Sequence, residues 1–530
     1  MKNLIHSLSL LCFVSLLLAC SQKESSKTAI ETQTRTFSKS YKAPSFENDL
    51  RVEKIKEIAP EIHQLIIDHA EKKNIPGIAY GIVVDNELVV ASSTGVIDID
   101  SKAPAKTKSA FRIASMTKSF TAMAIVKLRD EGKLRLNDPA GKYIRQMGKL
   151  EYLTSDSPEI TIMNLLSMTA GFPEDNPWGD RQLDEPDQML IDLIDAGISF
   201  SNPPSYNFEY SNTGYALLGH IISKVSGIPY QKYIKQHILK PLGMENTYWE
   251  YDSVPADLLV KGYRWEDDQW KSEPMLHDGS YGSMGGLITT IEDFSKYVSF
   301  QLSAWPPRNT EDAGPVKRSS LREMQTPQFS SLYAKARNFK GDTCAVIYGY
   351  GYGLGIAKNC DGFKRVSHGG ALPGFGSNYV FFPEYGVGIM AFCNLTYTSP
   401  WPYTKIGKLL FETQKIEARK LPASDILLKR QEQIVHLIQN WDEETEKAIL
   451  AENFYLDLSR ERQMDHAKEV FEKVGTIDSI GAMNSYNQLR GTFKIMGDLG
   501  NVEVYFTLSP EKDPKVQFVD LELMTANSEG

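Results

Sequence analysis

The sequence predicts an α+β protein: a mainly antiparallel sheet flanked by helices, a helical subdomain beside it, and a small α+β unit after it. Three observations carry this. Strand-like apolar runs sit early, at Gly77–Val84 and Glu87–Ser92, and return late, at Tyr350–Ala357, Arg365–His368, Asn378–Phe382 and Gly386–Cys393. Helical periodicity fills the space between them, so one sheet must be assembled from distant pieces. A break at Lys420–Ser424, with Pro422 as its stop, separates a last set of elements. The chain of 530 residues is also too long for one ordinary core.

The first 45 residues read as processing and tether. Met1-Lys2-Asn3 is a short positive region, and Leu8–Ala19 is an apolar stretch too short to span a bilayer. It ends in Leu17-Leu18-Ala19-Cys20, which resembles a bacterial lipobox with Cys20 as the lipidated residue. Residues 1–19 are thus expected to be a signal peptide, and residues 20–45, rich in Ser, Lys, Thr and Glu, a lipidated flexible tether. The localisation this implies is the bacterial cell envelope, with membrane contact through the lipid alone.

The body, expected over residues 46–418, opens with apolar positions Ile55, Ile58, Ile62, Leu65 and Ile66, the spacing of a helix over about 52–73. The two early strands meet at Asp85-Asn86, a hairpin signal. A helix is predicted directly after Ser115, and its apolar residues cover more than one face, which means burial. Further helices are predicted at Ile160–Ser167, Asn212–Val225, Tyr230–Leu239, Ile291–Leu302 and about 402–414. Residues 425–530 predict helices at 425–440, 442–453 and 460–473 and strands at 477–486, 489–497, 500–508 and 515–523, loosely similar to cone-shaped folds with a curved sheet. No catalytic constellation lies there, and its role is open. Cys344 and Cys360 flank a Gly/Tyr-rich stretch and could close a hairpin; of the three cysteines after the tether, one at least stays unpaired.

A net charge of −9, spread along the chain with no long basic run, argues against nucleic-acid binding. There is no Gly-x-Ser-x-Gly elbow, no His-Glu-x-x-His and no phosphate-binding glycine loop, so neither metal nor cofactor is implied. His63 and His69 are read as lying on a solvated helix face. Nothing in the sequence speaks to oligomeric state.

Chemistry begins at Ser115-Met116-Thr117-Lys118. A serine hydroxyl needs a base, and a lysine three residues on at a helix start lies beside it. An apolar setting lowers a lysine's pKa enough for it to act as that base. The pattern alone is weak, since Ser509-Pro510-Glu511-Lys512 repeats it in a probable loop. The second element is Tyr210-Ser211-Asn212, at the start of the apolar helix Thr213–Val225. Its phenol can relay a proton. Asn212 can hydrogen-bond Lys118 or a substrate amide, or simply cap the helix. The third is His368-Gly369-Gly370, where paired glycines let a substrate approach strand backbone and N–H groups join an oxyanion hole. His277-Asp278-Gly279 is its rival, in a loop with no strand before it.

Taken in order, these elements resemble the class C β-lactamase-related serine hydrolases, a group that includes D-alanyl-D-alanine carboxypeptidases, D-aminopeptidases and β-lactamase-like esterases. The similar segments are Phe111–Lys118 (FRIASMTK), Leu165–Phe172 (LLSMTAGF), Tyr210–Gly219 (YSNTGYALLG), Gly285–Thr290 and Ser367–Ser377 (SHGGALPGFGS), within about residues 55–415. The resemblance implies the class C β-lactamase-like fold and an acyl-enzyme on Ser115. It implies that Lys118 and Tyr210 share the base role, that Tyr210 protonates the leaving group, and that Ala371 and Ser115 supply the oxyanion N–H groups. It implies hydrolysis of an ester or amide in a small or peptide-like substrate, D-amino acid peptides among them. The β-lactamases have a lysine where this chain has His368, which weakens the expectation of β-lactam hydrolysis. The competing reading is a catalytically silent lipoprotein that binds peptidoglycan or peptides.

Overall fold

A computed structural model describes residues 36–524; the signal segment and Cys20 lie outside the described residues. The elements that place the site are α1 (Arg51–Lys72), β1 (Gly77–Val84), β2 (Glu87–Asp98), β3 (Ala103–Pro104), α2 (Lys118–Asp130), α3 (Asn212–Ser226), α4 (Ile291–Leu302), β4 (Phe329–Tyr333), β5 (Val346–Tyr350), β6 (Gly355–Asn359), β7 (Lys364–Leu372), β8 (Phe375–Phe382), β9 (Val387–Cys393) and α5 (Tyr403–Lys408). All nine strands join one sheet in the order β3-β2-β1-β9-β8-β7-β6-β5-β4, every pair antiparallel. Strand β1, from the start of the body, pairs with β9 near its end, Ile82 opposite Ile389.

The unbroken burial of β1 follows from cover on both faces. Ile78, Tyr80 and Ile82 meet Ile55, Ile62 and Ile66 of α1 in one core. Ala79 and Val83 belong to a second core with α2, α3 and α4. Phe294 of α4 packs edge-on to Tyr379 at 5.1 Å and Phe392 at 5.5 Å, and Tyr297 stacks on Phe120 of α2 at 4.2 Å. The helix bearing Lys118 is thereby fixed to the sheet through aromatic contacts.

Several expectations need correction. Ser115 does not start the α-helix: it sits in a single 3₁₀ turn, Ala114–Thr117, and α2 begins at Lys118. The run Tyr350–Ala357 is two strands, because Gly353 turns the chain at φ +68°. The Cys344–Cys360 disulfide closes that β5–β6 hairpin, leaving Cys393 buried and free. His63 and His69 are half-buried, His63 near the Tyr80 hydroxyl at 3.2 Å and His69 bonded to the Ser399 carbonyl at 2.9 Å.

After Lys420, whose backbone pairs with Ser45, come α6 (Asp425–Asn440), α7 (Glu443–Ile449), α8 (Arg460–Val474), β10 (Ile477–Ile480), β11 (Asn484–Asn487), β12 (Arg490–Gly497), β13 (Asn501–Leu508) and β14 (Val516–Leu523). Four strands run β10-β12-β13-β14, and β11 pairs beside β10 on β12, so the expected strand 477–486 is also split, at Gly481. The helices close over the sheet in a separate core, with Leu427, Ile434 and Val470 against Ile495, Val504 and Phe506.

Candidate active site

The backbone enters the site under strain. Ala114 is buried with φ +51°, a left-handed conformation that costs a non-glycine residue about 1–3 kcal/mol. It turns the chain so that Ser115 opens the 3₁₀ turn. In that geometry residues three apart eclipse, which brings Lys118 directly beside Ser115.

Lys118 is fully buried. Its Nζ lies 3.0 Å from Ser115 Oγ, 2.7 Å from Asn212 Oδ1 and 2.9 Å from the Met284 carbonyl oxygen. Burial pulls its pKa from 10.5 down to about 7, against the opposing pull of Asp180 and Asp175. The bonding pattern fits a neutral amine as well as an ammonium. The two carbonyl-type oxygens can only accept and so hold two of its protons in either state; charged, it donates a third to Ser115 Oγ, and neutral, it can accept the Ser115 proton there.

Asn212, the first residue of α3, is likewise fully buried. Its Oδ1 accepts from Lys118 and its Nδ2 donates to Asn176 Oδ1 at 3.1 Å, so of the roles open to it the structure selects the lysine. It is not the helix cap: Ser211 is, accepting from the Gly214 N–H. The Asp175 carboxylate takes the Asn212 and Thr213 N–H groups at 2.6 and 2.9 Å, an anion at the positive end of α3. Tyr210 precedes this cap. Lys118 Nζ stands 5.0 Å from its ring centroid. Burial drives the phenol pKa up, and the adjacent Ser115 hydroxyl only partly offsets that, so Tyr210 keeps its proton.

Strand β7 forms the opposite wall. His368 Nδ1 is 2.6 Å from the Gly369 carbonyl oxygen, which can only accept, so Nδ1 carries the proton and Nε2 accepts from the Tyr350 hydroxyl at 3.0 Å. Burial, and then Lys118, push its pKa down to about 4, so the ring is neutral. Gly370 passes so close to the Ser115 turn that a Cβ would stand 2.2 Å from the Ile113 carbonyl oxygen. Only glycine allows that approach. Ser377 Oγ donates to the same carbonyl at 2.7 Å.

These residues surround a cleft of about 530 Å³ whose walls include Ser115, Tyr210, Tyr350, His368, Gly369, Gly370 and Ala371. Asn176, Asp180 and Tyr397 close one end. Sequence reasoning missed Asp180. It is 3% exposed, its Oδ1 has no hydrogen-bond partner, and burial raises its pKa to about 6 although Lys118 opposes this. No motif marks it in the sequence, because its burial is a tertiary property. The Ser509 copy of the motif is a loop cap, bonded to Glu511 and to the Lys515 N–H, and His277 is exposed and bonded to Tyr251 and Glu250.

An antiparallel sheet flanked by helices, with a Ser-x-x-Lys turn facing a Tyr-x-Asn helix start, defines the class as β-lactamase-related. The chain belongs to the Beta-lactamase family, which it matches over residues 62–410. It is 31% identical over 337 residues to the protein described as "Protein flp" from Staphylococcus aureus (strain MW2), covering 62% of each chain. It is 29% identical over 380 residues to "Beta-lactamase-like protein 2" of Dictyostelium discoideum, covering 69% of this chain and 65% of that one. The chain thus spans less than two thirds of the length of either relative. Among solved structures, the octameric penicillin-binding protein homologue from Pyrococcus abyssi superposes with a TM-score of 0.56 at 22% identity, over 87% of this chain and 95% of that one. A penicillin-binding protein from Bacillus halodurans gives 0.50 at 23% identity, over 65% and 98%. At these identities the likeness is one of fold.

Proposed function

We propose that the chain hydrolyses an ester or amide bond of a small or peptide-like substrate through an acyl-enzyme on Ser115. The observation that carries this is Lys118: a fully buried amine 3.0 Å from Ser115 Oγ, its pKa drawn down to about 7 by burial. A base matched to neutral pH is what activation of a serine requires.

Ser115 Oγ bonds the carbonyl carbon as its proton passes to Lys118 Nζ. The carbonyl oxygen takes the negative charge, facing the N–H groups of Ser115 and Ala371. As the C–O or C–N bond breaks, the leaving group takes the Tyr210 proton, which the Lys118 ammonium replaces. Water then attacks the acyl carbon, giving its proton back through the same pair, and Ser115 Oγ leaves reprotonated. The expected sharing of the base role narrows here: a phenol held protonated serves as the donor, and Lys118 as the base.

Substrate choice is supported by His368. Neutral, with its Nδ1 proton and Nε2 lone pair both engaged, it offers a substrate carboxylate neither charge nor donor. Esters and amides uncharged at that position, D-amino acid amides among them, fit better than β-lactams. Parallel assays with nitrocefin, 4-nitrophenyl acetate and D-alanine amide test this; turnover of nitrocefin well above the other two would overturn it.

We also propose that Cys20 is lipidated and anchors the protein in the cell envelope, on the strength of the apolar Leu8–Ala19 run and the Leu-Leu-Ala-Cys sequence. Incorporation of labelled palmitate that persists in Cys20→Ala would refute it.

A further inference from the structure

A second cavity adjoins the catalytic cleft beyond Tyr350. In the antiparallel register, Tyr350, Gly355 and Ser367 lie side by side on β5, β6 and β7, and the next residues on the same face are Tyr348, Ala357 and Arg365. The first row lines the catalytic cleft; the second lines another cavity, of about 850 Å³, and Tyr348 is a wall of both. Between them stands the Tyr348 side chain, which lies across Gly355 and leaves this one residue as the partition between the two cavities. The Tyr348 hydroxyl lies just 2.5 Å from where a Gly355 Cβ would be. The second cavity is lined by Leu332, Phe339, Val346, Ala357, Phe363 and Tyr403, and its volume is that of a small-molecule site. Its two guanidinium groups are engaged, Arg365 by the Tyr403 hydroxyl at 2.8 Å and Arg337 by the Gly341 carbonyl at 2.9 Å.

The cavity is braced. Phe339 packs against Phe363 at 5.7 Å and Tyr403 at 5.6 Å, and the Cys344–Cys360 disulfide ties down the segment that carries it. At the rim, Leu332 is 68% exposed on the edge strand β4, apolar surface that no element of the fold covers.

Tyr210 gives the direction. Its ring meets Tyr350 edge-on at 6.4 Å, and Tyr350 stands one row from Tyr348. A leaving group protonated by Tyr210 therefore departs on the side that leads to the cavity. We infer that this cavity binds the apolar part of the leaving group, so that the preferred substrates carry an extended alkyl or aryl alcohol or amine. The inference rests on the acyl-enzyme reading above.

Two ester series on the full chain test it. Acetate esters of unbranched alcohols, methyl to octyl, vary the leaving side; 4-nitrophenyl esters, acetyl to octanoyl, vary the acyl side. The expected result is a kcat/KM that rises about fourfold per methylene in the alcohol series, the equivalent of about 0.8 kcal/mol per buried CH₂, with a shallower acyl series. Leu332→Asp and Ala357→Trp, one at the rim and one on the floor, should each flatten the alcohol slope; Leu332 is exposed, so that variant tests the slope even if Ala357→Trp does not fold. A flat alcohol series, or an acyl series steeper than it, overturns the inference. Fluorophosphonate labelling of Ser115 in the same preparation separates the failures. Labelled enzyme with a flat series sinks the subsite alone, whereas no labelling sinks the acyl-enzyme reading beneath it.

Discussion

Replacing Lys118 by methionine keeps an unbranched side chain, one atom shorter, and removes its charge. In the folded protein the amine titrates near 7, against 10.5 when unburied. Below pH 7 both states hold the proton, and folding carries the full penalty of a buried ammonium, about 5 kcal/mol. Between 7 and 10.5 the folded chain has lost the proton that the unfolded chain still binds, so wild-type stability rises with pH. Integrated from pH 6 to pH 9, the gain is on the order of 2–3 kcal/mol. Lys118→Met lacks it. The variant also leaves Asn212 Oδ1 and the Met284 carbonyl without their donor, at about 1–3 kcal/mol each, but that cost does not depend on pH. Asp180, deprived of the opposing cation, titrates higher in the variant and adds to the difference in the same sense. Urea unfolding of both proteins at pH 6 and pH 9 therefore should show the wild type gaining on the order of 2–3 kcal/mol on the variant. A difference that stays constant with pH would refute the depressed lysine, and no knowledge of the substrate is needed to see it.

Asp180→Asn removes an anion that raises the Lys118 pKa, so the acid limb of the kcat/KM profile should move to lower pH; a limb that stays put or moves up contradicts the electrostatics drawn here. Cys344→Ser opens a disulfide whose partners are 16 residues apart, and unfolding free energy should fall by about 3 kcal/mol in denaturant titration; an unchanged value would show that the hairpin holds without it.

The candidate catalytic residues were legible because their chemistry is local in sequence. Ser115 and Lys118 are one turn apart, and Tyr210 and Asn212 straddle one helix cap. The type of turn was not legible: a 3₁₀ turn entered through a left-handed alanine depends on Ile113 and Gly370 meeting across the fold. The paired glycines at 369–370 were read as room for a substrate against the strand; what the structure brings close to Gly370 is this chain's own Ile113 carbonyl. Asp180 gave no signal, because a lone aspartate in a loop reads as solvated until burial is known. Nor did Tyr350, whose bond to His368 needs the β5–β6 hairpin that the sequence reading merged into one strand. Gly353 breaks that run where its turn abuts the Lys118 carbonyl, a contact invisible to periodicity.

If Ser115 is the nucleophile and Lys118 its base, covalent labelling with a fluorophosphonate probe, followed by peptide mass mapping of the wild type, Ser115→Ala and Lys118→Ala, will show it. One adduct is expected, on Ser115, absent from Ser115→Ala and formed at least about a hundredfold more slowly in Lys118→Ala. An adduct on another residue, or wild-type labelling rates without Lys118, would contradict it.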